Sequence, residues 1–166
     1  MIKELLLSFF FKIFKKVIPI ISRKIYPQKE FIKDIEIRAR EQYPAIVVRL
    51  YGIPTIDVYL LIKNNSPYIN VFLEGGIFSL WIKDDRGLGK LLNQVCINEK
   101  LNIKKKETKQ IYRAIELKQS QIDYLKNTKA SKELTVNIDL IVYIRSLLYN
   151  FIKTEVSLKN ISCKIQ

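Results

Sequence analysis

The sequence predicts a mainly β protein: an immunoglobulin-like antiparallel β-sandwich with an N-terminal amphipathic helix and one short internal helix. Three observations support this fold class. After residue 30, apolar and polar residues alternate in short runs, and clusters of Gly, Pro and Asn separate these runs at close intervals. The strand–helix–strand rhythm of parallel nucleotide-binding sheets does not occur in the sequence. Only the first 26 residues follow a clear helical period.

The first predicted element is a helix over residues 1–26, MIKELLLSFFFKIFKKVIPIISRKIY. Its apolar residues recur at three- and four-residue steps and fill one helical face, while polar and basic residues fill the other. Pro19 has no N–H to donate to the carbonyl of Lys15, so we expect a kink near Pro19. Lys12, Lys15 and Lys16 interrupt the apolar run well before the roughly 20 residues that a membrane span requires.

A helix with one bulky apolar face and one basic face is suited to lie in the plane of a membrane surface. The apolar side chains would enter the acyl boundary, and the cationic groups would meet anionic head groups. Two other arrangements stay open: the apolar face packs on the domain or on a partner protein, or the helix crosses the membrane at a tilt. The predicted membrane-binding residues are Phe10, Phe11, Phe14, Ile18, Lys12, Lys15, Lys16, Arg23 and Lys24.

Residues 31–166 form the predicted sandwich domain. Its turns are expected at Pro44, at Gly52–Pro54 and at Gly75–Gly76, and one short helix is expected at residues 119–127. The clearest alternation runs from Leu134 to Arg145. Strands are predicted at residues 31–39, 45–51, 56–63, 68–73, 77–83, 94–103, 109–118, 134–145 and 151–165.

A cluster of turn-forming residues separates two of these predicted strands, in the stretch LIKNNSPYINVF of residues 61–72. Pro67 removes a ladder donor and disfavours helix at Ser66, whereas Asn64 and Asn65 can hydrogen-bond to their own backbone. We therefore predict that residues 64–67 form a structural bend. An apolar strand followed by Asn-x-x-Pro-Tyr resembles the late embryogenesis abundant group 2 family, also called the water-stress-and-hypersensitive-response (WHy) domain. That resemblance extends over residues 31–165 and implies a β-sandwich associated with membranes and stress tolerance, without a conserved reaction.

The composition excludes several classes of active site. The chain has no histidine, which removes Ser-His-Asp and Cys-His catalysis and histidine-based metal sites. Cys96 and Cys163 are far apart in sequence, cannot form a structural zinc site alone and are expected to be buried. We therefore predict a non-enzymatic protein without a cofactor or a metal ion.

The formal net charge of +13 favours anionic partners, although a general lysine bias of the source would also produce it. The densest basic cluster after residue 26 is Lys104, Lys105 and Lys106 with Lys109, a candidate anion-binding site. We expect a peripheral protein on the cytoplasmic face of an anionic membrane, with a binding or stress-protection role. The alternatives are an accessory subunit docked to a protein assembly through its N-terminal helix, and a basic nucleic-acid-binding protein.

Overall fold

A computed structural model of the protein describes residues 19–83, 89–129 and 134–166. Seven of the predicted membrane-binding residues lie outside this part of the chain, and Pro19 is its first residue. The membrane-binding role of these seven residues therefore stays a prediction from the sequence. The seven residues are Phe10, Phe11, Lys12, Phe14, Lys15, Lys16 and Ile18.

The described residues form nine strands and three helical segments, so the protein is mainly β. The predicted internal helix is present as α3. The helical segments are α1 (residues 19–25), α2 (Gln28–Lys33) and α3 (Gln119–Lys129). The strands are β1 (Ile35–Ala39), β2 (Ile46–Arg49), β3 (Thr55–Asn64), β4 (Val71–Lys83), β5 (Gly89–Ile97), β6 (Leu101–Ile103), β7 (Thr108–Glu116), β8 (Thr135–Ser146) and β9 (Ile152–Ile165).

Two long strands, β3 and β4, organise the sheet, and each pairs with one strand along one edge and with two strands along the other. β3 pairs with β7 along one edge, while β1 and β2 share its other edge. β4 pairs with β8 along one edge, while β6 and β5 share its other edge. All these pairs are antiparallel.

The last strand, β9, joins these two groups into one continuous sheet of nine strands. Most of β9 pairs with β8 in the antiparallel direction. Its final residues run parallel to β2, with Ile46 opposite Cys163 and Val48 opposite Ile165. The predicted all-antiparallel arrangement is therefore wrong, because β9 continues past the end of β8 onto a strand that runs in its own direction.

One apolar cluster gathers the inward side chains of both groups of strands. In β8, Val136, Ile138, Leu140, Val142 and Ile144 are all buried, which confirms the predicted alternation. β3 contributes Ile56, Val58, Leu60 and Ile62 in the same period of two. Such alternation, with half-exposed residues between the buried ones, is expected of strands that bury one face only.

Several predicted boundaries are wrong. Residues 31–33 belong to α2 rather than to a strand, and Phe31 is fully buried in the core. Three residues are too few for the spacing of apolar side chains to distinguish a helix from a strand. The region 94–103 holds two strands, because β5 ends at Ile97 and β6 begins at Leu101.

Gly75 and Gly76 lie within β4 rather than in a turn. Gly75 has φ +142°, next to an irregularity in the β4–β8 register between Leu73 and Gly75. A Cβ atom at Gly76 would lie 2.5 Å from the carbonyl oxygen of Ile141. The two glycines therefore permit a close backbone approach that keeps the strand continuous.

Candidate functional site

Four segments meet at one end of the sheet, which we call the α1 end: residues 19–34, 64–70, 104–107 and 146–151. Strand register brings them together. Val71, at the start of β4, pairs with Ile103 and with Ser146, so the turns before and after these residues are neighbours. Ile35, after α2, pairs with Asn64 and places α2 beside the same turns.

α1 directs its polar side toward its own domain. The Nε atom of Arg23 donates a hydrogen bond of 2.6 Å to the carbonyl oxygen of Leu148, and its guanidinium lies 5.8 Å from the centre of the Tyr149 ring. Arg23 and Lys24, two of the predicted membrane-binding residues, are both exposed, and Arg23 is also bonded to the domain. The three isoleucines of α1 point outward, with Ile20, Ile21 and Ile25 exposed by 57%, 52% and 79%.

Tyr26 and Tyr149 fix the end of α1 to the sheet. The Tyr149 hydroxyl donates a hydrogen bond of 2.6 Å to the carbonyl oxygen of Tyr26, and the Tyr26 hydroxyl donates one to the carboxylate of Asp34. Burial, followed by the bond to Asp34, raises the pKa of Tyr26 to about 12. Burial also raises the pKa of Tyr149, against the opposing charge of Arg23.

The rings of both tyrosines belong to one aromatic cluster. Tyr149 stacks on the buried Phe31 at a centroid distance of 5.4 Å, and Tyr26 meets the edge of Phe31 at 6.2 Å and of Tyr68 at 5.6 Å. These offset-stacked and edge-on arrangements are favourable between aromatic rings. The cluster connects α1, α2 and the turn that follows β3.

Asn64 is fully buried, and both the amino group and the carbonyl oxygen of its side-chain amide are hydrogen-bonded. Its Nδ2 atom donates to the carbonyl oxygens of Ile69, Ile103 and Lys104, at 2.9, 3.2 and 3.2 Å. Its Oδ1 atom accepts the N–H of Ser66 at 3.0 Å. One side chain therefore ties the β3–β4 connection to the turn that follows β6.

The rest of the predicted bend is also bonded. The buried Ser66 Oγ accepts the N–H groups of Tyr68 and Ile69, at 3.2 and 3.4 Å. Asn65 bonds to Asp34 through its backbone and to Glu36 through its side chain. β3 and β4 are not neighbours in the sheet, so residues 64–67, including Pro67, begin a connection between two strands rather than a kink within one.

The lysine turn, residues 104–107, connects β6 to β7. Its backbone takes φ +60° at Lys106, the N–H of Lys104 donates to the carboxylate of Glu107 at 2.6 Å, and the N–H of Lys105 donates to Asn70 at 3.1 Å. The side chains of Lys104, Lys105 and Lys106 are exposed. Lys109 lies farther along, within β7, and is half-buried.

Large apolar side chains are exposed beside these turns. Tyr68 is exposed by 72%, Leu147 by 80% and Phe151 by 65%. A groove of about 470 Å³ lies between α1 and the turn that carries Tyr68. Its lining residues are Ser22, Ile25, Tyr26, Glu30, Tyr68, Ile69 and Leu148. The α1 end thus combines exposed apolar groups with lysines.

One acid of the sheet is buried: Asp57 on β3 is only 1% exposed. Asp139 on β8 is exposed and accepts a hydrogen bond from Ser157. Asp57 lies 2.9 Å from Nη2 of Arg49 and accepts the hydroxyl of Tyr112 at 3.3 Å. Neighbouring strands supply both partners, so local sequence held no signal for this burial.

Reactive groups are sparse in the described part of the chain. Cys96 is exposed, contrary to the prediction, because it occupies an outward position of β5. Burial raises the pKa of Cys163 to about 12, which disfavours its thiolate.

Among the described residues, no group of three or more metal-binding side chains occurs, and no helix is long and apolar enough to cross a membrane.

Comparisons with known proteins return structural neighbours only. The sequence matches no protein-family model and no curated protein. The sporulation control protein Spo0M of Bacillus subtilis has a TM-score of 0.45 at 11% identity, over 80% of this chain and 50% of that chain. A protein from Archaeoglobus fulgidus has 0.38 at 8%, over 76% and 94%. A PapD-like domain of human CEP192 has 0.38 at 12%, over 77% and 85%.

Several residues of the α1 end were missed by sequence reasoning, among them Tyr68, Leu147 and Phe151. A usable signal existed for Leu147, because two leucines follow Ser146 at a point where the strand alternation stops. No such signal existed for Tyr26 and Tyr149, whose roles depend on a contact across most of the chain.

Proposed function

We propose that the protein is a non-enzymatic, membrane-surface-associated β protein with a binding or stress-protection role. It would attach to the cytoplasmic face of an anionic membrane through the amphipathic sequence of residues 1–26. The observation that carries the proposal is the orientation of α1: its polar side bonds to the domain, while Ile21 and Ile25 are exposed.

This orientation bears on the alternatives left open by the sequence. In the helical pattern, Ile21 shares a face with Phe10 and Phe14. A helix that packed this face on its own domain would bury Ile21 and Ile25, since burial of such side chains contributes about 1.5–3 kcal/mol each. Both are instead exposed in the described structure, and a lipid surface would cover them.

Charge supports the same proposal. The net charge of +13 attracts the protein to anionic lipids, with about 1 kcal/mol for each lysine or arginine close to the surface. Lys24 on α1 and the three lysines of the lysine turn are exposed near the apolar groups. The proposal requires no reaction and no cofactor.

We also infer the finer fold class. The groups around β3 and β4 each bury one face in a single apolar cluster, which is consistent with two layers of an immunoglobulin-like sandwich. The resemblance of residues 62–68 to the WHy domain supports the same architecture and the association with membranes and stress tolerance.

A second candidate is an accessory subunit of a protein assembly. The groove between α1 and Tyr68 favours it, because a concave apolar surface of about 470 Å³ suits an inserted side chain or helix. Binding to nucleic acid through the lysine turn is the third candidate, and its affinity would fall steeply with added salt.

A flotation experiment tests the membrane proposal. The full chain and an Ile21→Glu/Ile25→Glu variant are mixed with vesicles of phosphatidylcholine, with and without phosphatidylserine. We expect the variant to bind anionic vesicles at least about tenfold more weakly. It loses two apolar contacts with the lipid and gains two carboxylates that the anionic head groups repel. Tyr51→Glu/Ile53→Glu is the matched control, since Tyr51 and Ile53 are exposed by 86% and 74% at the opposite end. Equal binding of the wild type and the α1 variant would contradict the proposal.

A further inference from the structure

We propose that the domain itself contacts the lipid surface, through the turn tips Tyr68 and Leu147 and the adjoining lysine turn. This inference rests on the proposed function and adds a second contact to the one made by residues 1–26. The occupant is an anionic lipid surface, with acyl chains receiving the two tips and phosphate head groups meeting the lysines.

The two tips are built in the same way. In each, a buried serine stands first and its Oγ accepts the N–H groups two and three residues later. Ser66 accepts from Tyr68 and Ile69, and Ser146 accepts from Leu148 and Tyr149 at 3.2 and 3.1 Å.

These bonds hold the backbone of each tip and leave a large side chain projecting from it. Tyr68 is exposed by 72% and Leu147 by 80%, although the serines below them are exposed by 0% and 5%. Apolar groups that project from rigid turns lose little conformational entropy when they enter a bilayer.

The tips and α1 face a common space. The groove is lined by Ile25 of α1, by Tyr68 and by Leu148, the neighbour of Leu147. The groove therefore places Ile25 of α1 beside Tyr68 and beside the turn that carries Leu147. A surface that receives Ile21 and Ile25 would reach Tyr68 and Leu147 as well.

The lysine turn supplies matching charge beside the tips. Lys105 is hydrogen-bonded to Asn70, two residues after Tyr68, and Asn64 bonds to Lys104. Within the described residues, the ammonium groups of Lys104, Lys105 and Lys106 form no ion pair. Free ammonium groups next to projecting apolar side chains match head groups above acyl chains.

The test uses the full chain and the same two vesicle compositions. A Tyr68→Ser/Leu147→Ser variant is compared with a Tyr51→Ser/Ile53→Ser variant, which removes equally exposed side chains from the opposite end. We expect the tip variant to bind anionic vesicles about tenfold more weakly and the control to stay within about twofold of the wild type. Circular dichroism and thermal unfolding establish that both variants are folded.

A second measurement separates charge from apolar contact. A variant with Lys104, Lys105 and Lys106 all changed to Gln should lose roughly tenfold or more in affinity for phosphatidylserine-containing vesicles, and less than about twofold for phosphatidylcholine alone. In a third measurement, Leu147→Trp should show a blue-shifted emission with anionic vesicles, whereas Ile53→Trp should not.

The outcomes distinguish this inference from the proposed function. If the α1 variant loses binding while the tip variant and the lysine variant bind like the wild type, the helix alone is the anchor and the inference is overturned. If the α1 variant also binds normally, both fail. A tip variant that loses vesicle binding no more than the far-end control overturns the inference as well.

Discussion

The two ends of the sheet both expose large apolar side chains, but they are held together differently. At the far end, residues 49–55, 116–118 and 164–166, neighbouring segments are joined by backbone bonds such as Leu50 to Gln166 and Leu117 to Pro54. At the α1 end, the side chains of Asn64 and Tyr149 bond to the backbone of other segments, and those of Ser66 and Ser146 bond to the backbone of their own turns.

This difference shows that exposed apolar area alone does not mark a functional surface. Tyr51 and Ile53 of the far end are as exposed as Tyr68 and Leu147 of the α1 end. The lysine turn places three exposed lysines next to the apolar tips of the α1 end. Specific side-chain bonds and an outward apolar helix face occur together only at the α1 end of the described structure.

The largest expected effect is on stability at Asn64. An Asn64→Ala variant removes the buried amide that bonds to the carbonyl oxygens of Ile69, Ile103 and Lys104 and to the N–H of Ser66, and we expect a loss of about 3 kcal/mol in the free energy of unfolding. Urea denaturation measures the loss. At the far end, Ile53→Ala should change stability by less than about 0.5 kcal/mol.

Asn65→Ala is the neighbouring control, because its side chain makes one hydrogen bond, of 3.3 Å, to Glu36. A loss below about 1 kcal/mol is expected there. If Asn64→Ala were as mild as Asn65→Ala, the bonds of the α1 end would not distinguish it from the far end.

A smaller effect is expected at the attachment of α1. Tyr149→Phe keeps the stacking on Phe31 and removes the hydroxyl that bonds to the carbonyl oxygen of Tyr26. We expect a loss of about 1 kcal/mol in stability and faster amide hydrogen exchange in residues 22–26. At the far end, Tyr51→Phe should leave both quantities unchanged. Exchange in residues 22–26 that does not accelerate would show that the helix end is held by other contacts.

The smallest effect is a pH dependence at alkaline pH. Because the pKa of Tyr26 is about 12 in the folded protein and near 10 when unfolded, the folded state holds this proton more tightly. The stabilisation that results from this raised pKa is fully present below pH 10 and is lost as the pH rises toward 12. Stability measured across this range should fall less steeply in Tyr26→Phe than in the wild type, and a Tyr51→Phe variant should follow the wild type. Parallel curves for Tyr26→Phe and the wild type would contradict the assignment.

The sequence predicted elements whose signal is local. The β8 strand alternates over its whole length, and the α3 helix shows Ile122 and Leu125 at a helical step, so both were identified. Asn and Pro chemistry marked residues 64–67 as the end of a strand, although neither the bonds made by Asn64 nor the distance in the sheet between β3 and β4 was foreseeable.

Features that depend on distant partners could not be predicted. The parallel pairing of β2 with β9 is determined by contacts more than one hundred residues apart. The burial of Asp57 depends on Arg49 and Tyr112 from two other strands. Gly75 and Gly76 were interpreted as a turn, because sequence does not distinguish a glycine that reverses a chain from one that admits a close neighbour.

The pairing of β2 with β9 also has a kinetic consequence. Residues Ile46–Val48 meet Cys163–Ile165, so this contact requires closing a loop that includes nearly all of the sheet. A ladder of such high contact order forms slowly, since loop entropy is lost before any pairing energy is gained. Folding on the scale of milliseconds to seconds is expected for such a topology, with the short hairpins assembled before β9 reaches β2.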